Sequence, residues 1–215
     1  MEYITKSSIG KQIQKPSFWP RLVIGLTGIP GSGKSTIGKL LAAKNILVID
    51  TDMLARQLTT VNSPVLKNIA ELAGKDVILP DGSLDRALLR QLMFQNKEIK
   101  EGIESILHPE IFKLLNEKLI EAANRGVQIV VVEVPLLFEA GWEPYFDKII
   151  SVSAPEDICI KRIAQRNNIT KTEAAKWLSM QMGQVEKTEK ADHIIVNQGS
   201  IENLESQLDA ILTKL

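Results

Sequence analysis

A chain of 215 residues, 44% hydrophobic, can bury one substantial core, or a main domain with an inserted subdomain. Its 26 lysines and arginines balance 26 aspartates and glutamates, which argues against a generally basic, nucleic-acid-binding surface, and its one cysteine, Cys159, excludes an internal disulfide or a multi-cysteine metal site. No apolar run approaches the roughly 18 residues of a membrane span, and the first 21 residues lack the continuous apolar stretch of a secretory signal, so a cytoplasmic protein with no membrane partner is expected.

Residues 1–21 read as an extension before the domain, either a loosely held lead-in or an arm for a partner. "RLVIGLTG" predicts a buried strand, and "KSTIGKLLAAKN" a helix with Ile37, Leu40 and Leu41 on one face and Asn45 as its stop. "ILVID" predicts the second strand, "VQIVVVEVP" the third, "KIISVSA" the fourth and "HIIVN" the fifth. Short Ile/Val-rich strands alternating with helical patterns imply an α/β fold with a five-stranded parallel sheet over residues 22–215. Between strands two and three, residues 52–125 are helical in pattern ("LDRALLRQLMF", "IFKLLNEKLIEAANRG") and broken by a turn at Pro80-Asp81-Gly82. That is too long for one crossover helix and predicts a helical subdomain capping the sheet. Residues 155–190, rich in charge and poor in apolar residues, predict a second helical insertion acting as a mobile lid.

The chemistry concentrates where the first strand meets the first helix. "GIPGSGKS", residues 28–35, satisfies G-x-x-x-x-G-K-[ST] in the strand–loop–helix context that the pattern needs. Gly28, Gly31 and Gly33 let the backbone wrap a phosphate, and the following helix N-terminus adds a favourable dipole. Pro30 has no N–H to contribute; Ser32 and Thr36 complete the candidate nucleotide contacts. Lys34 would reach the β- and γ-phosphates of ATP, and the Ser35 hydroxyl would hold Mg²⁺. Asp50 and Asp52 follow strand two on the same edge of the sheet: one could take a proton from an attacking hydroxyl and the other assist Mg²⁺ through water, or Asp52 could simply cap the next helix. Glu133, ending strand three, is either a second Mg²⁺ carboxylate or a solvated strand end. Arg162 and Arg166 share a helix face and could clamp the transferring phosphate, or be an ordinary solvated face. On these residues alone the acceptor stays open among nucleoside monophosphates, other small molecules and none at all. "EKAD" at 189–192 is similar to a guanine-reading N/T-K-x-D pattern with Glu189 in place of the Asn or Thr, which would suit a nucleotide switch.

The succession "GLTG…GSGKS", "VIDTDMLAR", "DGSLDRALLR", "ILHPEI", "VPLLFEAG", "FDKIISV", "KRIAQR" and "ADHIIVNQG" resembles dephospho-coenzyme A kinase from about residue 22 to residue 212. The resemblance implies ATP-dependent phosphorylation of the ribose 3′-hydroxyl of dephospho-coenzyme A, on a five-stranded parallel sheet with an acceptor-binding helical domain and a lid. It implies Asp52 as the general base, Lys34 and Arg162 on the phosphates, and Arg56 facing the same cleft. It further implies Arg86, Arg90 and His108 in the acceptor domain, and Asn197 and Gly199 beside the adenine of ATP. The sequence departs from the family's habit in G-I-P for G-G-I within the loop, and in Thr188 and Glu189 beside Lys187, where relatives often carry more basic residues.

Overall fold

The computed structural model describes residues 16–215. Five parallel strands, β1 (Leu22–Thr27), β2 (Leu47–Asp50), β3 (Ile129–Glu133), β4 (Lys148–Ser153) and β5 (His193–Val196), form one sheet in the order β2-β3-β1-β4-β5. All pair in parallel, so every strand ends at the same edge. The chain leaves β1 towards β2 on one side and later crosses to β4 on the other. That reversal of direction opens a crevice at the end of β1, the place where open α/β sheets bind ligands.

Alternate residues of the strands feed two cores. On one face, Val23, Ile49, Val130 and Val132 pack beneath α2 (Thr51–Leu58) and α5 (Lys97–Asn124), the latter through Ile111, Leu115, Leu119 and Ala122 at helical spacing. On the other, Ile24, Leu26, Val131, Ile150 and Ile195 meet α1 (Lys34–Ala43) and α9 (Ile201–Leu212). Helix α1 stops as expected at Asn45, which takes the left-handed conformation at φ 60.

The helical subdomain consists of α2, α3 (Pro64–Ala73), α4 (Arg86–Gln95) and α5, with its own core of Leu66, Ile69, Val77, Leu84, Leu89 and Ile103. Its breaks are dictated by side chains: Ser63 caps α3, Asp85 caps α4, and Asn96 ends α4 while capping α5. The Pro80-Asp81-Gly82 turn is present; Leu79 and Ser83 bond across it, and Ile78 and Leu84 form an antiparallel bridge. His108 and Pro109 fall within a single helix. Both lie in the middle of α5, a helix of 28 residues that continues through the proline because α2, α3 and α4 all pack along it.

The 155–190 segment forms α6 (Glu156–Asn167), α7 (Lys171–Leu178) and α8 (Gln184–Glu189). Its apolar residues are few but placed together: Cys159, Ile163, Ala174 and Leu178 form a small core with Ile29 of the glycine loop. Cys159 is thus a packing residue. "EKAD" is structural too, since the Asp192 carboxylate accepts from the Ile149 N–H at 2.8 Å and pairs with Lys148 at 3.1 Å. Among the described residues no helix is long and apolar enough to cross a membrane.

Residues 1–15 lie outside the described part of the chain, but the end of the extension is no loose lead-in. Trp19 is 5% exposed, packs against Phe112 and Tyr145, and donates its indole N–H to Asn116 Oδ1 at 2.7 Å. Trp19→Ala should cost about 3–5 kcal/mol of unfolding free energy, and Trp19→Phe, which keeps a ring but drops the hydrogen bond, only about 1–2 kcal/mol. Urea unfolding of the full chain measures both; equal stability of all three proteins would show that the residue only leans on the surface.

Candidate active site

The glycine loop departs from the end of β1, and its shape requires glycine. Gly28 has φ 144, and a Cβ there would run into the Val152 carbonyl of β4. Gly33, the residue before α1, has φ 105 in the left-handed region, where a Cβ would meet the Asn197 amide. Within this loop the Ser32 hydroxyl is buried with no hydrogen-bond partner among the described residues, a polar group left for a ligand. Pro30 sits half-buried at the rim, and the Thr36 N–H closes the first turn onto the Gly33 carbonyl at 2.9 Å.

Lys34 is buried and curls back over the loop, donating to the carbonyls of Gly28 (2.9 Å) and Ile29 (3.2 Å). Burial lowers its pKa to about 8, while the carboxylates of Glu133 and Asp52 pull the other way. Ser35, one residue on, faces solvent and donates from Oγ to Glu133 Oε1 at 3.3 Å. Glu133 is 7% exposed at the end of β3, with burial raising its carboxyl pKa and Lys34 opposing the shift. It is no solvated strand end. Asp50 stands beside it, paired across the β2–β3 register, and Thr51 ties α2 to the Glu133 carbonyl at 2.9 Å.

The helix cap is Asp50 and not Asp52: its Oδ1 accepts from the Asp52 N–H at 2.8 Å. Asp52 is therefore free of that duty and looks into the open cleft. Crowding by surrounding protein, and then the neighbouring Asp50, raise its pKa; Lys34, Arg56 and Arg166 act against the rise. Arg86 and Arg90 of α4 also act on Asp52 electrostatically, so the charges of Arg56, Arg86, Arg90 and Arg166 all bear on one carboxylate. Arg86 is held by Thr59 Oγ1 at 2.7 Å, and Arg90 lies over the Trp177 ring at 4.7 Å. His108 stands edge-on to Trp142 and, with Thr51 and Asp52, lines a cavity of about 80 Å³ behind the carboxylate. A larger hollow of about 570 Å³, between α2, α3 and α5, contains none of these residues.

The two lid arginines divide. Arg162 donates to the Gly31 carbonyl at 2.9 Å and so rests on the glycine loop, whereas Arg166 faces Lys34 and Asp52. Lys187 is wholly buried, donating to Glu139 Oε2 and the Pro135 carbonyl, both at 2.9 Å, and its charge acts on Lys34. Glu139 in turn accepts from the Met182 N–H at 3.0 Å, which clips the base of the lid to the loop after β3. Asn197 spends its amide on the Ser32 carbonyl, while Gly199 is exposed in the turn before α9. Sequence reasoning missed the Lys187–Glu139 clip and the bridge from Arg90 of α4 through Trp177 of α7 to Phe94. Trp177, a lone tryptophan in a polar helix, is the signal from which the bridge could have been read.

Residues 22–203 match the family described as "Dephospho-CoA kinase". A dephospho-CoA kinase of Bacillus licheniformis is 37% identical over 191 residues, covering 89% of this chain and 95% of its own. A solved structure from Thermus thermophilus superposes with a TM-score of 0.78 at 33% identity, covering 91% of this chain and 98% of the other. A dephospho-CoA kinase from Campylobacter jejuni does so with a TM-score of 0.64 at 27% identity, covering 89% and 96%.

If Lys34 meets the nucleotide phosphates, its lowered pKa makes nucleotide binding depend on pH. Bound phosphates favour the charged amine and raise its pKa, so above about pH 8 binding takes up a proton. Affinity for a nucleoside triphosphate should be level below that point and fall by up to about tenfold per pH unit above it. Calorimetry in buffers of different ionisation enthalpy reads both effects; a flat affinity to about pH 9.5 would contradict the assignment.

Proposed function

The chain belongs to the dephospho-CoA kinase family, and on that premise we propose that Asp52 is the base which readies the acceptor hydroxyl while the 28–35 loop presents the phosphates of ATP. The reaction is the ATP-dependent phosphorylation of dephospho-coenzyme A that completes coenzyme A. This removes the broader small-molecule kinase and the nucleotide switch as readings of the loop. The observation that carries the assignment of roles is the convergence of Lys34, Arg56 and Arg166 on the Asp52 carboxylate at the open cleft.

Asp52 accepts the proton of the ribose 3′-hydroxyl as that oxygen attacks the γ-phosphorus. The bond from the γ-phosphorus to the β,γ-bridging oxygen breaks, and ADP leaves. A carboxylate whose pKa is raised by its surroundings and by Asp50 is a better match to this proton transfer than an ordinary one, and Lys34, Arg56 and Arg166 favour its ionised form. Lys34 leaves the loop carbonyls for the β- and γ-phosphates, and Arg162 and Arg166 meet the charge that builds on the transferred group. Arg56, Arg86, Arg90 and His108 form the acceptor side, where three guanidinium groups suit the pyrophosphate of dephospho-coenzyme A. Asn197 and Gly199 bound the nucleotide side.

Mg²⁺ fits the site. Ser35 Oγ and Glu133 offer two oxygens 3.3 Å apart, with Asp50 next to Glu133, and no cluster of three acidic, His or Cys ligands exists among the described residues. That is the donor set of an ion completed by water and substrate phosphates. Bound there, Mg²⁺ neutralises charge on the β- and γ-phosphates. We place the reaction in the cytoplasm, where the free thiol of coenzyme A is kept reduced.

Asp52→Asn should lower kcat by about 10²–10⁴-fold while ATP binds within a few-fold of wild type. ADP release with dephospho-coenzyme A, AMP, CMP and shikimate as separate acceptors, and the product's mass, checks substrate and base together. Near-normal turnover in Asp52→Asn would remove the base assignment, and turnover with another acceptor alone would remove the substrate.

A further inference from the structure

The turn after β5 reaches the glycine loop from the side. Asn197 is 7% exposed, and its backbone N–H donates to the Ser153 carbonyl at the end of β4 at 2.7 Å, so the residue is fastened to the sheet. From there its side-chain Nδ2 donates to the Ser32 carbonyl at 2.6 Å. The peptide unit joining Ser32 to Gly33 is planar and trans, so its carbonyl and its N–H point in opposite directions. Holding the Ser32 carbonyl outward therefore sets the direction of the Gly33 N–H, which belongs to the group of amides at the start of α1 that a phosphate would meet. Gly33 and Asn197 are fitted to one another: a Cβ at Gly33 would occupy the space of the Asn197 amide. The neighbouring Gly31 carbonyl is held too, but by Arg162, an exposed side chain of the lid.

We propose that Asn197 is a positioning residue for the phosphates of the nucleotide: fixed to the sheet, its amide orients the Ser32–Gly33 peptide so that the Gly33 N–H faces the phosphate. It acts on the phosphate end of ATP without reading the base. The inference rests on the reading of residues 28–35 as the ATP phosphate loop. Only a donor can do this. Aspartate, of nearly the same shape, offers the Ser32 carbonyl another acceptor and would turn the peptide away.

Inorganic tripolyphosphate, which has phosphates and no base, separates the possibilities. In full-length Asn197→Asp, the affinities for Mg·tripolyphosphate and Mg·ATP should fall together by about tenfold to hundredfold, and the KM for ATP should rise. Dephospho-coenzyme A should bind within about twofold of wild type, and Asn197→Ser, too short to reach the carbonyl, should repeat the pattern. Weakened ATP with unchanged tripolyphosphate would make Asn197 a reader of the base and overturn the proposal; unchanged affinity for both would do the same. If neither variant folds, the Asn197 side-chain amide resonance of the wild-type protein decides: it should shift with tripolyphosphate and not with adenosine, and the reverse pattern overturns the proposal. Wild-type protein that fails to bind tripolyphosphate would bring down the phosphate-loop reading and this inference with it, whereas binding lost in neither variant brings down this inference alone.

Discussion

The cleft depends on one constraint: β1 runs in the middle of a sheet whose strands all point the same way. Because pairing is parallel, Leu26 lies opposite Glu133, Glu133 opposite Asp50, and Thr27 opposite Ser151. Groups far apart in the chain are thereby delivered to one edge with no loop needed to carry them there. The glycine loop, the carboxylate beside Ser35, the start of α2 and the turn holding Asn197 all begin where strands end. A slip of one residue in the β1–β3 register would turn Glu133 to the opposite face of the sheet and leave Ser35 without it.

Within that frame, burial and charge pull against one another. Burial moves Lys34, Asp52 and Glu133 each towards its neutral form; the lysine and the carboxylates draw one another back, while Asp50 and Asp52 push Glu133 further the same way. Acidic groups sit at the strand ends, and the arginines come from helices α2, α4 and α6 around them. Division of labour follows from this layout: strand ends supply the acidic groups, and the helical insertions supply the arginines around them. Lys187 of α8 is the exception among the insertion's cations: it is tied to Glu139 and Pro135 after β3, which is why a lysine in a polar stretch is fully buried.

Much of this was legible in the chain. The strands could be read because a parallel sheet buried on both faces needs short Ile/Val runs, and the loop could be read because phosphate binding by backbone amides permits few residue types. The placing of Asp50, Asp52 and Glu133 at one edge followed from strand ends alone. What could not be read depended on partners distant in sequence. Lys187 has its partner Glu139 48 residues away, and α5 runs on through Pro109 because the helices packed along it outweigh the proline's cost. Trp19 lay beyond any periodic pattern, and its burial depends on Phe112, Asn116 and Tyr145, each about a hundred residues away or more. Asn197 was expected beside the adenine of ATP, and its bond to the Ser32 carbonyl of the glycine loop could not be inferred from its position after a strand.

Ile29 ties two of these parts together. It belongs to the phosphate loop by sequence and to the lid by packing, sharing a core with Cys159, Ile163, Ala174 and Leu178. A lid displaced as a rigid body would have to drag the loop backbone or open that core. The position of α6 and α7 and the shape of the loop are thus coupled through one core, and reciprocity follows: any nucleotide-induced shift of these helices would return the same factor to nucleotide affinity.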